Sequence, residues 1–251
     1  MKPLVSVIMP AYNAERFISI AVESVLHQTL TDWELLIMDD CSTDSTPEII
    51  AAFAALDPRI KAHRNLENVG VAKTRNHALS LSTGTYIAFL DSDDFWHPTK
   101  LEKQVALMQK TGAGLCYTSY ALVDERGTPI RNDYLVPETV SFQQLLKENV
   151  IGCSTVVLSA GLMEQRRFNT DYYHEDYVLW LHLLQDGVVA AGCPQVLTDW
   201  RYQETSRSFN KWNSLHKRWD IYRHNLGLSL PKSLYCLLYY ILAGLIKYRK
   251  R

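Results

Sequence analysis

Two short acidic clusters carry most of the chemistry this chain can offer. Asp91-Ser92-Asp93 places two carboxylates two residues apart behind an apolar run. Such a pair can share a hard divalent cation that also bridges phosphate oxygens. A cation there would offset the negative charge that develops on a departing diphosphate. On its own the pattern is weak, because Asp-rich turns also cap helices. His174-Glu175-Asp176 opens an apolar, helix-spaced stretch. A carboxylate at that point could take the proton of an attacking hydroxyl, or it could simply complement the positive end of the helix. Neither a P-loop nor a dinucleotide-type glycine loop is present, which disfavours a kinase, an ATPase or a dehydrogenase.

The elements that must hold these groups alternate. Residues 4–9, 34–38 and 86–90 are Val-, Ile- and Leu-rich runs typical of buried strands. Between them, 14–28, 46–56 and 71–81 have helical apolar spacing, with a short strand at 60–63. Strand–helix alternation predicts a doubly wound, mostly parallel α/β sheet. Ligands of such sheets bind beyond the carboxyl ends of the strands. Tyr12, Asp40 and Asp91–Asp94 each follow a strand, so three strands deliver polar groups to one edge. Further along, 98–110 and 142–148 read as helices, 113–123 and 154–158 as strands, and 175–184 as a helix.

The net charge of −1 conceals an asymmetry. Residues 211–251 hold nine Lys or Arg against one acid, Asp220, so an acidic body carries a basic tail. Trp212, Leu215, Trp219, Tyr222 and Leu226 form one aromatic stripe at helical spacing. Leu234–Ile246 is an uncharged run followed by Lys247-Tyr248-Arg249-Lys250-Arg251. The run falls short of the roughly 20 apolar residues a spanning helix needs, and suits a helix lying in the membrane surface. Packing on the body is the alternative. Aromatic residues beside basic ones can also stack on nucleic-acid bases, but the apolar run fits lipid better, and no nucleic-acid partner is expected. Five scattered cysteines without zinc spacing suit a reducing cytosol. The opening residues, with one Lys and a short apolar run before Pro10, read as a first strand rather than a signal peptide.

Together, Val5–Asn13, Val25–Thr29, Glu34–Ser45, Arg75-Asn76, Phe89–Asp94, Trp96 and Pro98 resemble the opening of family-two glycosyltransferases of the GT-A fold. Glu175-Asp176 followed by Leu179-Trp180 resembles the acceptor-side motif of the same family. The resemblance runs from about residue 3 to about residue 208 and is most specific in the first hundred.

The resemblance implies a set of roles. Tyr12 would lie against the nucleobase in a pocket shaped by Pro10 and Ala11. Asp40 would bond the base, Asp39 would support the nucleoside, and Ser92 would join this nucleotide-binding group. Arg75 would lie near the diphosphate or brace the aspartate turn. Asp91 and Asp93 would hold Mn²⁺ or Mg²⁺, and Asp94 could instead help hold the donor sugar. Asp176 would be the general base of an inverting displacement, with Glu175 and Trp180 shaping the acceptor site. Trp33 and Trp96 are expected to be packing residues. Two departures stand out. Cys41 replaces the glycine usual in the turn after Asp40, and Gln203 replaces a histidine in the Arg201-Tyr202-Gln203…Ser206…Ser208 segment.

The expected protein therefore has a nucleotide-sugar-binding half at 1–100, an acceptor-binding half at 101–210 and a basic helical tail at 211–251. It would move a sugar, from a UDP-sugar by expectation, to a glycan or lipid-linked glycan acceptor. It would work in the cytoplasm, peripherally at the inner face of the plasma membrane. The competing reading is a non-catalytic module that binds a nucleotide-sugar or glycan. A nucleotidyltransferase would need a basic, glycine-rich triphosphate loop near its start, which is absent.

Overall fold

The computed structural model describes residues 2–202 and 211–249. The apolar runs form β1 (Val5–Ala11), β2 (Trp33–Asp39) and β4 (Tyr86–Phe89), with β3 (Ile60–Arg64) outside β2. β1 pairs in parallel with both β2 and β4, and β2 pairs in parallel with β3. The intervening helices are α1 (Ile18–Leu26), α2 (Thr46–Leu56) and α3 (Val71–Leu81). Eight strands form one sheet in the order β3-β2-β1-β4, then β7 (Val157–Ser159), β6 (Leu115–Val123), β8 (Ala190–Arg201) and β5 (Phe95–Trp96). The expected mostly parallel α/β sheet is present.

The core follows from strand periodicity. Val5, Val7 and Met9 of β1 join one apolar cluster with the α1 residues Ile18, Val22 and Val25. Ile8, on the opposite face, joins a second cluster with Phe89, Leu158, Trp180 and Tyr222. Alternating side chains thus feed two cores, one on each face of the sheet.

Beyond β4 the pattern changes. β5 (Phe95–Trp96), α4 (Lys100–Thr111) and β6 (Leu115–Val123) lead to α5 (Phe142–Lys147), which a Ser141/Gln144 capping box starts. β7 (Val157–Ser159) is antiparallel to both β4 and β6. After α6 (Glu175–Gln185), β8 (Ala190–Arg201) runs parallel to β6 with register shifts around Ser119. β5 and β8 lie outside the elements expected from sequence. Gly192 and Pro194 interrupt the alternation of β8, which hides it as a strand.

The tail forms α7 (Lys211–Asp220), a π-helical turn at Ile221–Asn225 and α8 (Leu230–Arg249). Ile221, Tyr222, Leu228 and Cys236 are buried in the second cluster, so the tail packs on the body. Its outer face stays apolar, with Leu234, Tyr235, Leu238, Ile241 and Leu242 exposed. Among the described residues no helix is long and apolar enough to cross a membrane. Gln203, Ser206 and Ser208 lie outside the described residues, as do Met1 and the last two residues of the basic run.

Candidate active site

One cleft of about 900 Å³ opens at the carboxyl edge of the sheet. Because β2, β1 and β4 are adjacent and parallel, the residues that follow them must meet there. The cleft is lined by Pro10, Ala11 and Tyr12 after β1, Asp40 after β2, and Asp91–Asp94 after β4. Tyr12 keeps half its surface exposed (50%), which leaves a ring face available. Arg75, Glu175 and Asp176 line the same cleft, although α3 and α6 lie far apart in sequence.

Asp40 is buried. Its Oδ1 accepts from Asn65 Nδ2 (2.7 Å) and the Val69 N–H (3.0 Å), and its Oδ2 accepts from the Gly70 N–H (2.8 Å). The carboxylate therefore ties the end of β2 to the start of α3. Asp39 does not line the cleft, contrary to expectation. It is buried, accepts from the Ser42 backbone N–H and hydroxyl, and pairs with Arg64 at 3.2 Å. Its place at the last position of β2 turns the side chain into the Ser42 loop, so any effect on a nucleoside passes through that loop.

Arg75 joins the two acidic clusters. Its guanidinium is buried, donates to Glu175 Oε1 at 2.6 Å and pairs with Asp91 Oδ1. These contacts match bracing of the aspartate turn, one of its two expected roles, and Arg75 also lines the cleft. Burial, together with the nearby Asp176 charge, raises the Glu175 carboxyl above its ordinary range, against the pull of Arg75. Burial likewise raises Asp176, again opposed by Arg75. One Asp176 oxygen accepts the Tyr177 N–H at 2.7 Å.

Burial and the Asp91 charge push the Asp93 carboxyl up to about 6. Two carboxylates that repel each other at the end of a strand are a fitting donor set for a hard cation. Among the described residues no three His, Cys, Asp or Glu side chains cluster as a closed metal cage. Asp91 and Asp93 would therefore leave most coordination positions to phosphate and water, the usual arrangement for Mg²⁺. Asp94 faces a different task. It is buried, accepts from the Ser154 hydroxyl (2.6 Å) and the Arg201 N–H (3.0 Å), and has a carboxyl raised well above the ordinary range by burial and its acidic neighbours. Those bonds make Asp94 a clamp on the loop, and it also lines the cleft.

Trp180 corrects a second expectation. It is fully buried, with its indole 6.0 Å from the Phe89 ring and 6.3 Å from the Phe168 ring, and it does not line the cleft. On α6, Glu175 and Asp176 occupy the first turn, at the cleft, while Trp180 lies deeper along the helix, in the core. Trp33 and Trp96 are buried packing residues, as expected.

Several site residues escaped the sequence reading. Ser154 donates to Asp94 and accepts from the Asp91 N–H. Arg201 donates to the Asp93 carbonyl (2.9 Å) and stacks on Phe17 and Phe95. Arg218 and Tyr240, from the tail, line the cleft. The only available signal for Arg218 was a cation four residues before Tyr222, inside the aromatic stripe.

The sequence model of glycosyl transferase family 2 matches residues 6–168. The chain belongs to this family. The protein TuaG of Bacillus subtilis (strain 168), a glycosyltransferase assigned to teichuronic acid biosynthesis, is 39% identical over 239 residues, covering 95% of each chain. The Escherichia coli enzyme WfgD is named UDP-Glc:α-D-GlcNAc-diphosphoundecaprenol β-1,3-glucosyltransferase. It is 39% identical over 247 residues, covering 98% of this chain and 95% of its own. The crystal structure of Staphylococcus aureus TarS 1–349 in complex with UDP-GlcNAc superposes with a TM-score of 0.75 at 20% identity, covering 96% of this chain and 72% of that one. The fold of this glycosyltransferase is thus the GT-A fold that its opening motifs imply.

Proposed function

We propose that this glycosyltransferase moves a sugar, with inversion, from a UDP-sugar to a hydroxyl of a lipid-linked glycan in bacterial surface-polysaccharide assembly. The observation that carries the reading is the Arg75 bridge. It ties the Asp91–Asp93 turn and the Glu175–Asp176 turn to one guanidinium in one cleft. A donor diphosphate belongs at the first turn and an acceptor hydroxyl at the second. The WfgD name supports both the UDP donor and a diphosphate-linked lipid acceptor, and TuaG supports the surface-glycan setting.

Tyr12, Pro10 and Ala11, which line the cleft beside Asp40 and Ser92, would receive the base. Asp91 and Asp93 would hold Mn²⁺ or Mg²⁺, which supplies charge neutralisation at the donor diphosphate. Asp176 takes the proton from the acceptor hydroxyl as its oxygen attacks the anomeric carbon. Its raised affinity for protons suits that task, because a base is most effective with a pKa near the working pH. Glu175 orients the turn through Arg75. Residues 1–100 thus serve the donor and 101–210 the acceptor. The outer face of α8, with its exposed Leu234, Leu238 and Ile241 and the basic residues that follow, rests on the inner membrane surface.

Donor turnover tests the reading. The full chain is incubated with Mn²⁺, a panel of UDP-, GDP- and dTDP-sugars and a lipid-linked acceptor, beside Asp93→Ala and Asp176→Asn variants. Release of UDP that both variants lose supports it. Calorimetric UDP binding without transfer to any acceptor would instead favour the binding-module reading.

A further inference from the structure

Arg218 is a buried cation whose partners carry no charge. Its Nη1 donates to Leu146 O (3.4 Å), Tyr177 Oη (3.0 Å) and Tyr222 Oη (3.1 Å). Its guanidinium lies 4.6 Å from the Tyr177 ring centre and 4.0 Å from that of Tyr240. Among the described residues no carboxylate pairs with it, yet it is only 7% exposed and lines the cleft.

The other buried cations of the molecule lie near an acid or can lose their charge. Arg201 bonds the carbonyls of Asp93, Asp124 and Glu125, and its charge pulls down the Asp93 carboxyl. Arg75 has two carboxylates. Lys100, held over the Trp96 ring, is pushed down by burial to about 7 and can give up its charge. An arginine cannot lose its proton in this way. Holding an uncompensated charge out of water costs several kcal/mol, and aromatic faces return only about 2 kcal/mol each. Arg218 is therefore kept charged at the wall of a cavity with a place open for an anion.

Position decides which anion. Arg218 reaches Tyr177, the residue after Asp176, and shares its surroundings with α5, α7 and α8. None of its contacts comes from the nucleotide end at Pro10–Asp40. Tyr240, which covers it, sits on the helix whose outer face exposes Leu234, Leu238 and Leu242. An anion at Arg218 would thus lie past the acceptor hydroxyl and next to an apolar surface. We infer that Arg218, framed by Tyr177, Tyr222 and Tyr240, binds the phosphate that joins the acceptor sugar to its lipid. This inference rests on the lipid-linked acceptor proposed above. No bond is made or broken at Arg218. It is a binding residue for the acceptor's charged linker.

The test uses the full chain and two acceptors: α-N-acetylglucosaminyl diphosphate on an undecyl chain, and the same sugar on a neutral undecyl chain. Arg218→Gln should lower kcat/KM on the diphosphate acceptor by about 30-fold or more, since charge-assisted bonds are the strong ones. It should change the neutral acceptor by less than about 3-fold and leave the donor KM unmoved, while Arg218→Lys recovers part of the loss. Equal losses on both acceptors would reduce Arg218 to a packing role and overturn the inference. A raised donor KM would assign it to the donor diphosphate and also overturn it.

Should Arg218→Gln fail to fold, judged by melting and UDP calorimetry, inhibition of the unmodified enzyme decides. A short prenyl diphosphate should compete with the acceptor while its alcohol does not, and competition with the donor alone sinks the proposal. Unmodified enzyme that transfers equally well to both acceptors would refute the Arg218 assignment and leave the glycosyltransferase reading standing. Transfer to neither would refute the lipid-linked acceptor itself, and the Arg218 assignment with it.

Discussion

The two ends of the cleft, proposed above to hold the nucleotide and the acceptor, are built by opposite means. At the nucleotide end, consecutive strands of a parallel sheet each hand one short loop to the same edge, so chain continuity does the positioning. At the acceptor end, residues distant in sequence are tied by side chains: Arg75 to Glu175, Asp94 to Arg201, Arg218 to Tyr177. The first construction is local and repetitive. The second depends on a few buried polar contacts, each of which costs much to break. The acceptor end is therefore where single substitutions should do most damage, and where one family can vary its substrate.

The sharpest test of that division is Asp176→Asn. Transfer should fall by about 10²–10⁴-fold, the range for a lost general base, while UDP affinity measured by calorimetry stays within about 2-fold. A comparable loss of UDP affinity would mean that the two ends are not separable. Arg75→Met comes next. It strands the buried Glu175 and the partly exposed Asp91, and should lower stability by about 3 kcal/mol in thermal or denaturant unfolding. A change under about 0.5 kcal/mol would show that the bridge between the ends is dispensable.

The nucleotide end was largely legible in the sequence. Val- and Ile-rich runs, helical spacing and acidic residues just past strand ends sufficed to bring Pro10, Ala11, Tyr12, Asp40 and Asp91–Asp93 to one cleft. Asp39 was misplaced because it is the last residue of β2, where alternation turns its side chain away from the cleft. Trp180 was misplaced because a motif position says nothing of which helix face it occupies. β8 escaped because a buried strand interrupted by Gly192 and Pro194 shows no alternation. Arg201 and Arg218 escaped as site residues because their partners come from elements far away in the chain.

The tail offers a third test. Removing 211–251 looks like a simple probe of membrane recovery, but Ile221, Tyr222 and Cys236 are core residues. Burial of such side chains contributes about 1.5–3 kcal/mol each, so truncation should destabilise the body as well. Leu238→Asp is cleaner. It should leave the melting temperature nearly unchanged and reduce co-sedimentation with anionic vesicles. Undiminished sedimentation would remove α8 as the contact.

A smaller effect concerns the amino edge of the sheet. Burial acts to raise the Glu34 carboxyl, but bonds from Lys61, Ser6 and Thr83 together outweigh it and hold it below its ordinary value of 4.5. A depressed carboxyl stabilises the fold above the unfolded value and loses that contribution as pH falls through the folded one. Glu34→Gln should therefore flatten the decline in melting temperature below pH 4.5. An unchanged acid limb would show that other carboxylates govern it.

The smallest effect belongs to Cys41, whose φ of +62° explains why glycine is usual there. Left-handed backbone costs a non-glycine residue about 1–2 kcal/mol, partly offset by the greater freedom glycine loses on folding. Cys41→Gly should raise stability by at most about 1 kcal/mol in denaturant unfolding. A clear loss would mean that the thiol contributes more than its 3.7 Å contact with Leu66 O suggests.

The order of the chain has one further consequence. Arg218 and Tyr240 are supplied by helices that follow every strand of the sheet. On a ribosome, the strands that frame the nucleotide end emerge first, and N-terminal parts generally fold first. The cleft is thus finished from its nucleotide end outward. On the proposed reading, a nascent chain acquires the frame for its donor before the wall for its acceptor, and transfer to a lipid-linked sugar should begin only after α8 has docked.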